Sequence, residues 1–232
     1  MTIKPLRNPL ILALDLDDQF QIDKLVDEVG EIVGGIKIGP RLMLRFGPQI
    51  IKKMALRAPI FLDMKFFDIP STMLSAVRAA FDIGAQLVTV HAQAGSFALE
   101  QLAQLELEYQ KTAEVRILCV TMLTSFDLNT IPKILKNQSI EQHVIELGHL
   151  VNQAGLKGLV CSPLEIQALK KINDFYLVTP GIRAQVNHDE DQKRTLSARE
   201  AINFGATALV VGRPILEAIS PRAACENLLA SL

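Results

Sequence analysis

In the stretch FLDMKFFDIPSTM, residues 61–73, Asp63 and Lys65 stand two apart in an otherwise apolar run, and Asp68 and Pro70 follow at once. Burying charge is costly unless the charge is paired or put to use, so this cluster is the first candidate for chemistry. An ammonium group flanked by carboxylates can sit beside a centre that develops negative charge and can then deliver a proton to it. Two more charges occupy comparable settings: Asp15 between Leu14 and Leu16, and Lys37 between Ile36 and Ile38. A strand alternates its faces with a period of two, which predicts that Asp63 and Lys65 share one side while Leu62 and Met64 take the other. If the apolar neighbours face outer helices, Asp15, Lys37, Asp63 and Lys65 converge from three strands. A structural salt-bridge network is the plain alternative, because opposite charges offset one another's desolvation. Four inward charges at strand ends weigh instead toward a reaction centre.

The elements that position these residues read as alternating strands and helices. Short apolar runs of the kind a buried parallel strand gives lie at 10–16, 35–38, 59–64, 87–91, 115–122, 158–161, 176–179 and 208–211. Between them, apolar residues recur three or four apart, as in Ile22, Leu25, Val26 and Val29; Met73, Leu74, Val77 and Phe81; Leu99, Leu102, Ala103 and Leu107; and Val144, Ile145, Leu147 and Val151. Eight such units, with no linker or composition shift, predict an α/β fold of one (β/α)8 TIM barrel spanning residues 1–232 as a single domain. Barrels of this kind carry their chemistry at the C-terminal face, which places the Asp/Lys cluster at the mouth. Two segments, 124–139 and 184–197, lack strong apolar periodicity and are long for loops after strands, a property of lids.

After the seventh and eighth runs come TPGIR, with Gly181 and Arg183, and VGRPI, with Gly212 and Arg213. Barrels commonly bind phosphate at these two positions. Backbone amides and two guanidinium groups suit a phosphate dianion. Taken singly, each glycine could be only a turn and each arginine a solvated charge; together they favour a phosphorylated ligand.

The 232 residues are 49% hydrophobic, enough for a substantial core, and the formal net charge is −1 with no basic stripe, which argues against a nucleic-acid partner. The early apolar run is broken by Asp15, Asp17 and Asp18 and is far too short to span a membrane or to serve as a signal segment. A cytoplasmic protein is expected. Cys119, Cys161 and Cys225 are widely spaced in apolar contexts, forming neither a disulfide framework nor a zinc pattern, and read as core residues. No H-x-x-x-H pair or Cys cluster suggests a transition metal, although three carboxylates at one mouth could in principle hold Mg²⁺. His91 ends the fourth run, where a barrel enzyme could use an imidazole base and a satisfied structural histidine fits equally well, and His143, His149 and His188 suggest nothing specific.

In order and spacing, LALD, GGIKIG, DMKFFDIP, VTVHA, VTMLTS, TPGIR, DQKR and VVGRPI resemble the orotidine 5'-phosphate decarboxylase family nearly end to end. The resemblance implies decarboxylation of orotidine 5'-monophosphate to UMP, the last step of de novo UMP synthesis, with no cofactor and no metal. It implies that Asp15 and Lys37 contact the ribose hydroxyls, that Asp63 sits beside the carboxylate that is lost, and that Lys65 donates the proton. Asp68 and Thr72 would reach the neighbouring subunit's site in a homodimer. Thr124 and Ser125 would contact the pyrimidine, while Pro180, Arg183, Gln192, Gly212 and Arg213 would hold the phosphate end. Phe67, Ser71 and Ala94 depart from the family's usual His, Asn and Gly.

Three rival functions differ from this one at particular residues. A Mg²⁺-dependent sugar-phosphate lyase or decarboxylase of the same superfamily would share the D-x-K-x-x-D element, but it resembles E-x-G-T where this chain has Lys37. A Schiff-base aldolase wants its lysine in an apolar pocket, whereas Lys65 is flanked by Asp63 and Asp68. A non-catalytic barrel that binds a phosphorylated ligand would be expected to have lost part of the charged set, and here the whole set is present.

Overall fold

The computed structural model describes residues 5–127, 129–182 and 196–232. Its parallel strands are β1 (Leu10–Ala13), β2 (Gly35–Ile38), β3 (Ile60–Phe66), β4 (Leu87–His91), β5 (Arg116–Val120), β6 (Gly158–Val160), β7 (Tyr176–Thr179) and β8 (Ala208–Val211). They pair in sequence order, and β8 closes on β1 through Ile11 opposite Val210. This is the (β/α)8 barrel that the spacing of the apolar runs predicts.

The helices between them form for local reasons. In α1 (Gln19–Val29) the Asp18 side chain caps the first turn by accepting from the Gln21 amide, and Ile22, Leu25, Val26 and Val29 bury one face. After α2 (Pro40–Phe46) and α3 (Gln49–Met54), α4 (Pro70–Asp82) begins on a proline, whose fixed φ and missing N–H suit a first turn. In α5 (Ser96–Tyr109) the buried face runs through Leu99, Leu102 and Ala103 to Leu105 and Glu106, so Leu107 points to solvent, contrary to the spacing argument. The following helix, α6 (Ile140–Gln153), opens with a reciprocal Ser139–Gln142 capping box. The segment before it contains a short 3₁₀ turn at Lys133–Leu135. Shorter helices α7 (Ile166–Lys170), α8 (Ala198–Phe204) and α9 (Arg213–Leu216), with α10 (Pro221–Ala230), complete the outer ring. Among the described residues, no helix is long and apolar enough to cross a membrane.

Two apolar layers result. The larger lies between strands and helices and includes Leu10, Leu12, Leu14, Ile36, Ile38, Leu62 and Val88. The smaller fills the barrel with Ile11, Ala13, Phe61, Leu87, Leu118, Val178, Ala208 and Val210. Each inward series continues toward the C-terminal ends of the strands, which is how Lys37, Asp63 and Thr89 come to project over a packed apolar floor. All three cysteines are buried.

Candidate active site

Asp63, only 8% exposed, is the centre of the charge cluster. Lys65 Nζ lies 2.9 Å from both Asp63 carboxylate oxygens, and Lys37 Nζ lies 3.4 Å from Oδ2. Thr89 donates its hydroxyl to Oδ1 at 3.0 Å. Burial works against ionisation of Asp63. The two ammonium charges and the hydrogen bonds from Lys65 and Thr89 outweigh it, and the carboxyl sits below the usual aspartate range. The result is a buried anion bracketed by two cations.

Simple alternation does not explain the position of Lys65. Strand β3 keeps register with β4 through Phe61–Leu87 and Leu62–Val88, then resumes only at Phe66–Val90, so four steps along β3 match two along β4. Two extra residues bulge out of the ladder, and Lys65 takes a left-handed backbone with φ of 49°. That conformation disfavours a side chain with a Cβ and is stored where surrounding contacts enforce it. The bulge bends the lysine back over Asp63.

The cluster forms one wall of a cavity of about 720 Å³ at the barrel mouth. Asp15, Lys37, Asp63 and Lys65 supply the charge, while Phe61, Val120, Val160 and Val210 form an apolar floor. Thr124 lines the cavity, and Pro180, Gly181, Gly212 and Arg213 line it from the loops after β7 and β8. Gly181 has φ of 83°, a conformation glycine adopts without strain. The arrangement suits an elongated ligand with an anionic end near β7–β8 and a reacting group near β3.

Several residues sit differently from the expectation. Asp15 is not within a strand, because β1 ends at Ala13 and the Asp15 amide turns back to the Ala13 carbonyl at 3.2 Å. It is exposed on the following loop yet still lines the cavity. Asp68 and Thr72 are exposed and do not line the cavity of their own barrel; the Asp68 carboxylate accepts from the Ile69 amide at 2.7 Å. Ser125 is exposed and outside the lining, unlike its neighbour Thr124. Arg183 and Gln192 lie outside the described residues, as does most of the polar segment after β7.

Residues not anticipated from the sequence also join the site. Arg41 lines the cavity and bonds the Asp17 carboxylate, with Nε at 2.7 Å from Oδ1, fastening the loop after β1 to α2. Thr89 was hidden because a threonine in an apolar run reads as a strand former; its inward position between Leu87 and His91 was the available signal. The His91 ring packs against Phe67 with centroids 5.4 Å apart, and its Nδ1 has no partner among the described residues. Burial, aided by the Lys65 charge, lowers the imidazole pKa. Among the described residues, no group of three or more His, Cys, Asp or Glu side chains is placed to hold a metal ion.

The sequence model described as "Orotidine 5'-phosphate decarboxylase / HUMPS family" matches residues 8–228. The chain is 39% identical over 230 residues to an orotidine 5'-phosphate decarboxylase of Prochlorococcus marinus, covering 96% of this chain and 95% of the relative. It is 36% identical over 228 residues to the enzyme of that name from Actinobacillus pleuropneumoniae, covering 97% and 99%. The crystal structure of orotidine 5'-phosphate decarboxylase from Lactobacillus acidophilus superposes with a TM-score of 0.83 at 32% identity, covering 97% of this chain and 98% of that one.

Proposed function

The chain belongs to the orotidine 5'-phosphate decarboxylase / HUMPS family, and from that premise we propose that it converts orotidine 5'-monophosphate to UMP and CO₂, in the cytoplasm, as the last step of de novo pyrimidine synthesis. The whole of 1–232 is assigned to one catalytic domain. The observation that carries the reading is the bracketing of buried Asp63 by Lys65 and Lys37 at the edge of the cavity. Lys37 also speaks against the Mg²⁺-dependent relatives, since it puts a cation where they resemble one another in carrying a carboxylate.

The chemistry follows from this placement. The carboxylate-bearing ring carbon lies toward Lys65, with Asp63 beside the departing group. As the carbon–carboxylate bond breaks, CO₂ leaves neutral and the electron pair stays on the ring carbon, which has no delocalised sink. The Lys65 ammonium stabilises that charge by proximity and then transfers a proton to the same carbon, yielding UMP and a neutral amine that solvent reprotonates. Asp63 orients the ammonium and repels the substrate carboxylate in the ground state. Asp15 and Lys37 hold the ribose hydroxyls, Thr124 and Ser125 the pyrimidine, and Pro180, Arg183, Gln192, Gly212 and Arg213 the phosphate. No cofactor takes part in this scheme.

The proposal extends to a homodimer in which Asp68 and Thr72 complete the partner's site. It is supported by their exposure away from their own cavity and by the exposed apolar side chains of Phe67 and Ile69 on either side of Asp68. Sedimentation at assay concentrations tests it: a dimer is expected, and a monomer of full activity would refute it.

The phosphate end is remote from the reacting carbon, yet its binding energy can be used to close and organise the site. Arg213→Ala is expected to lower kcat/KM by about 3 kcal/mol, roughly 10²-fold, the loss for a charge-assisted contact that becomes buried on binding. Steady-state kinetics reads this directly, and an unchanged kcat/KM would remove Arg213 from the phosphate site.

A further inference from the structure

We propose that Thr89 is a positioning residue for the reaction, its hydroxyl holding both the strained backbone of Lys65 and the carboxylate of Asp63. The inference rests on the decarboxylase reading above, and it concerns a residue outside the charged set. Thr89 is fully buried on β4. Its Oγ1 accepts from the Lys65 amide at 2.8 Å and donates to Asp63 Oδ1 at 3.0 Å. A hydroxyl has one proton to give, and here it is committed to Asp63 while a lone pair takes the Lys65 N–H.

The first of these bonds replaces a missing ladder bond. In a parallel pair, a strand amide ordinarily finds a carbonyl on its neighbour, but the β3–β4 register is interrupted between Leu62 and Phe66. The Lys65 amide falls in this interruption, and the Thr89 hydroxyl supplies the acceptor. The same residue carries the positive φ of 49°, a conformation that persists only when surrounding contacts enforce it. The second bond fixes the rotation of the Asp63 carboxylate, and both oxygens of that carboxylate are what Lys65 Nζ contacts at 2.9 Å. One side chain therefore sets the backbone from which the ammonium projects and the anion toward which it points. Small displacements of a reacting group carry large rate penalties, so the hydroxyl acts on kcat through Lys65 without touching substrate itself.

The test compares Thr89→Val, which keeps the branched shape and loses the hydroxyl, with Thr89→Ser, which keeps the hydroxyl. The valine variant is expected to lose roughly 30- to 100-fold in kcat with KM and UMP affinity within about threefold of the parent, and the serine variant to recover to within about fivefold. Hydrogen exchange of the Lys65 amide is expected to accelerate at least about tenfold in the valine variant and to stay near the parent rate in the serine variant. If the valine variant does not fold, Thr89→Ala gives the same comparison. A valine variant with parental kcat, a loss confined to KM, or equal damage from valine and serine would each overturn the role. Should the unsubstituted protein fail to turn over orotidine 5'-monophosphate, the assigned reaction fails instead, and the exchange rates still decide whether Thr89 holds Lys65.

Discussion

Lys65→Ala is expected to lower kcat by about 10⁵-fold while leaving UMP binding within about tenfold of the parent. Two contributions disappear together: a general acid, typically responsible for about 10² to 10⁴ in rate, and a preorganised cation at the developing charge, which is responsible for about 10² to 10³. Their combined loss exceeds that expected for any other single truncation in the cavity. The loss should fall on kcat because the proton and the stabilised charge belong to the transition state rather than to the bound substrate. Single-turnover measurement with enzyme in excess separates this from slow product release. A variant within about tenfold of the parental rate would mean that another group delivers the proton.

Asp63→Asn is expected to cost about 10⁴-fold in kcat. The substitution preserves size but leaves the half-buried ammonium groups of Lys37 and Lys65 facing a neutral amide where they now flank a carboxylate at 3.4 and 2.9 Å. A Lys65 freed from its anchor carries a misplacement penalty on the order of 10²-fold, and the ground-state repulsion of the substrate carboxylate that Asp63 supplies, on the order of 1 to 5 kcal/mol, is lost with it. The carboxylate is ionised well into the acid range because Lys37 and Lys65 outweigh the cost of its burial. The parent should therefore keep Asp63 as a carboxylate across neutral and mildly acidic pH. Steady-state rates with the variant decide the role of Asp63: a surviving kcat with a raised KM would confine it to binding and contradict its part in the chemical step.

Much of this architecture is legible in the chain before folding. The runs at 35–38, 87–91, 176–179 and 208–211 coincide with β2, β4, β7 and β8 because a strand buried on both faces leaves a short, mostly apolar run. Asp63 and Lys37 could be placed at inward positions because Leu62 and Met64 in one run, and Ile36 and Ile38 in the other, mark the outward faces. Lys65 marks where that reasoning stops. A bulge arises from pairing with β4, a long-range property that leaves no trace in the period of β3 itself. Asp15 illustrates the same limit in another way: Leu14 and Leu16 continue the apolar pattern beyond Ala13, but the backbone turns there, so alternation persists in sequence after the ladder has ended. Thr89 was legible as a strand residue and not as a functional one, since its two hydrogen bonds come from residues more than twenty positions away.

The most direct test of the central claim is the ultraviolet absorbance of orotidine 5'-monophosphate mixed with the purified protein, followed with and without EDTA. Cofactor-free decarboxylation through Lys65 predicts rapid, complete conversion to UMP at the same rate in both samples. No conversion, or conversion abolished by the chelator, would contradict it.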